Sequence, residues 1–359
     1  MAWRSRRGLA LIGAAVVLAL VAGLLVTRQL GWWGTSRTAL QAAVRMAPAD
    51  TVRFSWTDWR AVRAEVGSDV GKDSSSEEVQ EFLRKAYPTD ATSRSALTDL
   101  VPILQEGFGF SPATLAWELL AQGPRGAVEI DRLDDDVSID DLGDRLAALG
   151  YQRPGADRVW KGGPDLLGQI GLRLGQDTSP LLQHVAFDEK RHLVLFSNRP
   201  DYLAETVAGL DDHDSQVDDV LDAVGDPDPM AATVFAGSYV CEELAMGQAD
   251  PDDKARGEEL VRAAGPISPL ASYAMVLRRD RSVAVAFGFE NDQQAKENAP
   301  TRARLASGEA PGQGGDFPER FSLGTVEARG KVVTMELKPK PENYVLSDLS
   351  DGPVLFATC

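Results

Sequence analysis

Only two cysteines and three histidines occur in the 359 residues. So few thiols exclude a disulfide-dense scaffold and a cysteine-rich zinc module. Basic residues are outnumbered as well: 37 Lys plus Arg against 54 Asp plus Glu leave a formal net charge of −17. A nucleic-acid-binding domain needs a basic face to displace counterions from phosphate, so that class is set aside. Gly (33) and Pro (20) are too few for a low-complexity chain. A 43% hydrophobic, 25% charged composition fits a globular protein, and the length suggests roughly two domains. No G-x-S-x-G elbow, S-x-x-K, phosphate-binding loop or H-E-x-x-H is present. Nothing implies a cofactor, and no motif assigns a catalytic activity.

What is present begins at the N-terminus. Residues 9–26 (LALIGAAVVLALVAGLLV) carry no charge. As a helix they reach about 27 Å, close to the hydrocarbon thickness of a bilayer. Arg4, Arg6 and Arg7 precede the run, and Trp32 and Trp33 follow it where interfacial rings would sit. The pattern predicts an uncleaved single-pass anchor over 8–30. The cytoplasmic tail is then 1–7, the juxtamembrane linker 31–46, and the remainder lies outside. A cleaved signal peptide is the competing reading, but the Leu-Leu-Val after Val21-Ala22-Gly23 argues against it. Residues 1–37 hold five arginines and no acid, leaving 32 basic and 54 acidic residues beyond them. An exterior part so acidic stands off anionic lipid. Arg exceeds Lys 28 to 9, in keeping with a bacterium of GC-rich codon usage.

Beyond the linker the pattern predicts an α+β fold, with mixed or antiparallel sheets and helices on one face. A strand is expected at 51–56, a helix from Asp58, and a capping box at Ser75 and Glu78. A helical stretch is expected over 95–105, and a helix after Ser111-Pro112 (ATLAWELLAQ). A strand at 126–133 precedes a helix capped by Ser138 and closed by Gly150. Hairpins are expected at 184–197 around Glu189-Lys190, at 271–289, and at 321–338 around Arg329-Gly330. The first two are followed by helices capped at Asn198 and Asn291. The unit of hairpin, cap and helix thus occurs twice, each time after a strand containing Thr-Val, which suggests two related halves. Acidic residues and two Asp-Pro steps over 211–230 mark a linker between exterior domains 47–210 and 231–359. The segment 308–319 reads as a flexible loop, and 352–359 as a core strand.

The candidate sites are sparse. Asp134, Asp136 and Asp140 have the alternating spacing of a calcium loop. Ile139 stands where that loop needs glycine, and Arg145 where it needs glutamate, so a solvated acidic turn competes with a metal site. In a hairpin centred on Glu189-Lys190, His192 faces Phe187 and His184 faces Leu195, and the two do not converge. His213 lies among aspartates. Trp56, Trp59 and Trp117 are core residues or the rings of a ligand groove. Cys241 and Cys359 are both exterior, and an oxidising compartment permits one disulfide between them. Two of the 54 acids could also meet as a hydrolytic carboxylate pair.

The stretch APADTVRFSW, with Pro48-Ala49-Asp50-Thr51, resembles a group of bacterial, often actinobacterial, single-pass membrane proteins of unknown function. Their exterior part opens with a P-A-D-T strand. The resemblance implies the same layout and brings no catalytic residues. The expected role is a membrane-anchored extracytoplasmic binding or interaction protein holding a protein or cell-envelope partner. An exterior hydrolase is one alternative. Another is an accessory subunit of a membrane complex, whose span packs through Ala14, Ala15, Ala19, Ala22 and Gly23.

Overall fold

The computed structural model describes residues 37–211, 213–225 and 227–359. The tail, the span and the first six residues of the expected linker lie outside the described residues. No helix among those described is long and apolar enough to cross a membrane.

Eleven strands form one sheet: β1 (Arg53–Thr57), β2 (Leu115–Gly123), β3 (Gly126–Leu133), β4 (Val159–Lys161), β5 (His184–Asp188), β6 (Leu193–Ser197), β7 (Ala231–Ala236), β8 (Ser272–Leu277), β9 (Val283–Gly288), β10 (Phe321–Arg329) and β11 (Val332–Pro339). Their order is β10-β11-β9-β8-β7-β1-β2-β3-β6-β5-β4. Every strand pairing is antiparallel. The α+β class is as expected.

The helices do not keep to one face. On one face α1 (Ala39–Val44), α6 (Pro200–Ala208) and α7 (Asp218–Val224) cover Phe54, Trp56, Ile130 and Val234. On the other, α2 (Trp59–Glu65), α3 (Ser76–Ala86), α4 (Ile139–Leu149), α5 (Pro164–Leu174), α8 (Tyr239–Leu244), α9 (Pro251–Ala264) and α10 (Asp292–Leu305) cover Phe196, Phe235, Met275 and Phe287. The central strands β7, β8 and β9 are buried at every residue, which requires cover on both sides.

Local signals placed most element ends correctly. Asp58 caps α2, and Ser75 with Glu78 forms the capping box of α3. Ser138 caps α4, Gly150 closes it at φ 107°, and Asn291 caps α10. Other expectations need correction. The stretch after Ser111-Pro112 is strand β2, because it lies between β1 and β3 and bonds to both. Ladder pairing on two sides overrides the helix propensity of its Leu, Ala and Glu. Residues 98–108 form successive short helical turns of three types. The first hairpin is shifted: His184 faces Ser197 and Phe187 faces Val194. Asp188 accepts from the Arg191 amide and His192 takes a positive φ, so the turn is longer than two residues. Arg199, not Asn198, precedes α6. In segment 308–319, Phe317 is fully buried. The C-terminus is a buried helical turn at Leu355–Ala357 rather than a strand.

The acidic segment 211–230 does not separate two sheets. Arg45 of the expected linker binds Asp214 and Asp218, both at 2.5 Å, and α7 within the segment buries Val220, Leu221 and Val224. Residues Ala39–Cys359 form one compact unit.

A repeat is visible in the topology, but in a different frame. Outward from the centre, one half runs β1-β2-β3-β6-β5 and the other β7-β8-β9-β11-β10. In each, a strand is followed by helices, a hairpin, a helix and a second hairpin, with β4 and α5 inserted before the second hairpin of the first half. The counterpart of β8-β9-α10 is therefore β2-β3-α4, not the hairpin β5-β6 with α6. Reading β2 as a helix hid the match.

The C-terminal segment is held by a buried cation. Arg302 is fully buried and donates to the carbonyls of Phe356 (2.7 Å), Thr358 (3.1 Å) and Ser268 (3.1 Å). Its guanidinium lies over the rings of Phe287 and Phe289, and burial pushes its pKa down to about 9. Arg302→Met leaves three carbonyls without these donors and is expected to cost about 3 kcal/mol in urea unfolding.

Candidate buried carboxylate site

The densest unexplained chemistry lies at the middle of the sheet. Register pairs Thr57 with Glu118, Glu118 with Asp131, and Leu120 with Glu129. These residues alternate with Trp56, Leu119 and Ile130, so Glu118, Glu129 and Asp131 share the sheet face that carries α2. All three carboxylates are at most 1% exposed.

Glu118 is well held. Its Oε2 accepts from the Trp59 indole (2.9 Å) and the Ser95 hydroxyl (2.8 Å), and its Oε1 from the Ala96 amide (2.5 Å). Burial nevertheless raises its pKa to about 7. Glu129 and Asp131 differ. Neither carboxyl meets a donor at normal hydrogen-bond geometry, and the buried hydroxyls of Thr57 and Thr233 are likewise without a partner. The two acids lie within hydrogen-bonding reach of each other. Burial comes first in raising both pKa values, and negative neighbours add to it: Asp131 and Glu118 for Glu129, Glu118 for Asp131. The Leu119 amide acts in the opposite sense on Asp131, and a proton held between the two carboxyls would supply the donor that each otherwise lacks.

The sign of the pH effect follows. A carboxyl whose pKa is higher in the fold than in the unfolded chain binds its proton more tightly when folded. The stabilisation from Glu118 is full below about 4.5 and lost as pH rises to about 7. Glu118→Ala strands three donors and should cost about 3 kcal/mol. Glu129→Gln, whose carboxamide can donate to Asp131, should cost less than about 1 kcal/mol at pH 5.5 and be stabilising relative to the parent at pH 8.5, as urea unfolding at the two pH values would show.

The residues singled out from sequence are placed elsewhere. Asp134 is taken up by Arg60 and Arg63, at 2.6 Å each, while Asp136 and Asp140 are exposed. Among the described residues no three metal-ligating side chains are placed to hold an ion. The His192 ring lies 3.1 Å from the Asp134 carbonyl, and His184 starts β5. Trp56 stacks on Trp117 (5.2 Å) on one face of the sheet, whereas Trp59 packs against Phe82 on the other. The three rings therefore line no common groove. Cys241 and Cys359 are joined by a disulfide, with Cα atoms 5.6 Å apart. The helix propensity of the residues around Glu118 conceals the triad in the sequence. The alternation Glu129-Ile130-Asp131 inside an apolar strand was the available signal.

An open groove of about 830 Å³ lies beside α7 over β9, β11 and β10. Its walls carry ion pairs, Lys331 with Asp219 (2.7 Å) and Arg278 with Glu336 (3.3 Å). A smaller opening of about 470 Å³ includes Leu120, Gln122, Ala127, Leu181 and Arg199.

No protein family matches the chain, and no curated protein matches it. A solved structure described as crystal form I of TP0453 aligns with 86% of this chain and 96% of its own, at 9% identity and a TM-score of 0.39. That likeness is too slight to carry an argument about fold or function.

Proposed function

We propose that the chain is a membrane-anchored extracytoplasmic binding protein. Residues 8–30 form the anchor, the N-terminus is cytoplasmic, and the body from Ala39 onward lies outside. The observation that carries this reading is the Cys241–Cys359 disulfide. Such bonds persist in oxidising compartments and are rare in the cytosol. The acidic body and the arginine-flanked N-terminal run support the same topology.

The hydrolase alternative loses support from the site itself. Glu118, Glu129 and Asp131 are sealed under α2 and the segment 92–100, so a substrate has no approach to them. The groove beside α7 suits a polar protein or envelope partner better than an apolar ligand, because its charges of both signs can exchange partners.

Protease added to intact spheroplasts should digest the body, and the chain alkylated in membranes before reduction should show no accessible thiol. A body protected in spheroplasts but cleaved after lysis would overturn the topology. Cys241→Ser should lower stability by about 3–5 kcal/mol, since the bond closes a separation of 118 residues.

A further inference from the structure

We infer that Glu118, Glu129 and Asp131 form a proton-operated latch fastening the segment 92–100 to the centre of the sheet. With a proton shared between Glu129 and Asp131 the latch is shut, and loss of that proton releases the segment.

The segment depends on Glu118. Ser95 and Ala96 both donate to its carboxylate, and the Ser95 hydroxyl in turn accepts from the Leu97 amide. These bonds position Leu97 and Leu100, which are buried. The attachment holds while the Glu129–Asp131 pair, sharing one proton, puts a single negative charge beside Glu118. It weakens when loss of that proton adds another, because like charges in a dry interior repel with little screening.

Nothing on the surrounding elements offsets that added charge. On the triad's face β1 contributes Ser55 and Thr57, β7 Thr233, and β6 Val194 and Phe196. From α2 comes the Trp59 indole. The cations on those elements are engaged elsewhere: Arg60 and Arg63 of α2 with Asp134, and Arg94 of the segment with Asp351 (2.6 Å). Of the acids near the segment, Asp90, raised to about 6 by burial, is held by the Leu346 and Ser347 amides, away from Glu118. Asp58 caps α2, Glu65 meets Arg281, and Asp99 is exposed. Arg53 on β1 also binds Asp351 (2.6 Å). The unpartnered hydroxyl of Thr57, in the same row as Glu118 and Asp131, adds no positive charge.

The proton has a short route to solvent. Leu120, the register partner of Glu129, is only half-buried and lines the opening beside Gln122 and Ala127. Leu120 thus stands between Glu129 and that opening.

Hydrogen exchange on the full-length chain in detergent, read by mass spectrometry from pH 5.5 to 8.5, tests the latch. Protection factors for peptides covering 92–100 should fall up to tenfold per pH unit where the shared proton is lost. Those for β8 should hold, and the double variant Glu129→Gln/Asp131→Asn should reduce the dependence to the part that the Glu118 proton alone gives. If that variant does not fold, Glu129→Gln alone should give the same reduced dependence. A pH-independent segment, a parallel loss at β8, or an unchanged dependence in the variant that folds would overturn the proposal.

Discussion

Five backbone pairings between β1 and β7 hold this body together. From Arg53 with Phe235 to Thr57 with Ala231, they join two half-sheets edge to edge. Neither edge could stand alone. β7 is buried along its whole length, and an exposed apolar edge strand is a template for aggregation. Pairing the two edges removes both hazards and leaves as sheet ends the short β4 and the polar, bulged β10. The same union makes the sheet wide enough to need helices on both faces.

The polar row at the centre follows from that union. Ser55, Thr57 and Thr233 meet at the junction, and Glu118, Glu129 and Asp131 continue the row into the first half. A strand at the edge of a half-sheet could have shown such groups to water. At the middle of an eleven-stranded sheet they lie at least nine-tenths buried, and partners must come from within. Glu118 found three donors; the other two acids found each other. The second half answers the same face differently: Tyr273, Met275 and Phe287 fill it, and its buried charge is Arg302, held by carbonyls of the C-terminal segment.

Legibility in sequence tracked the range of the interaction. The capping box of Ser75 and Glu78, the caps at Ser138 and Asn291, and the αL glycine at 150 are decided within one turn of chain, and each was readable. The turn at Asp188–His192 was misread by two residues of register, because an aspartate bonding its own loop competes with the tighter turn. The strand at 115–123 was unreadable by propensity, since Leu-Ala-Trp-Glu-Leu-Leu-Ala suits a helix until strands arrive on both sides. That single error concealed both the true frame of the repeat and the carboxylate row.

What the chain determined by itself was its composition, its caps and turns, the alternation of its hairpins and the apolar run near its start. These rest on neighbours in sequence and on the solvent. Only the tertiary structure decided which strands are central, that both faces are covered, that Cys241 lies against Cys359 and that three acids share one dry row. Each of those joins residues distant in the chain, and burial there comes from partners that no local pattern names.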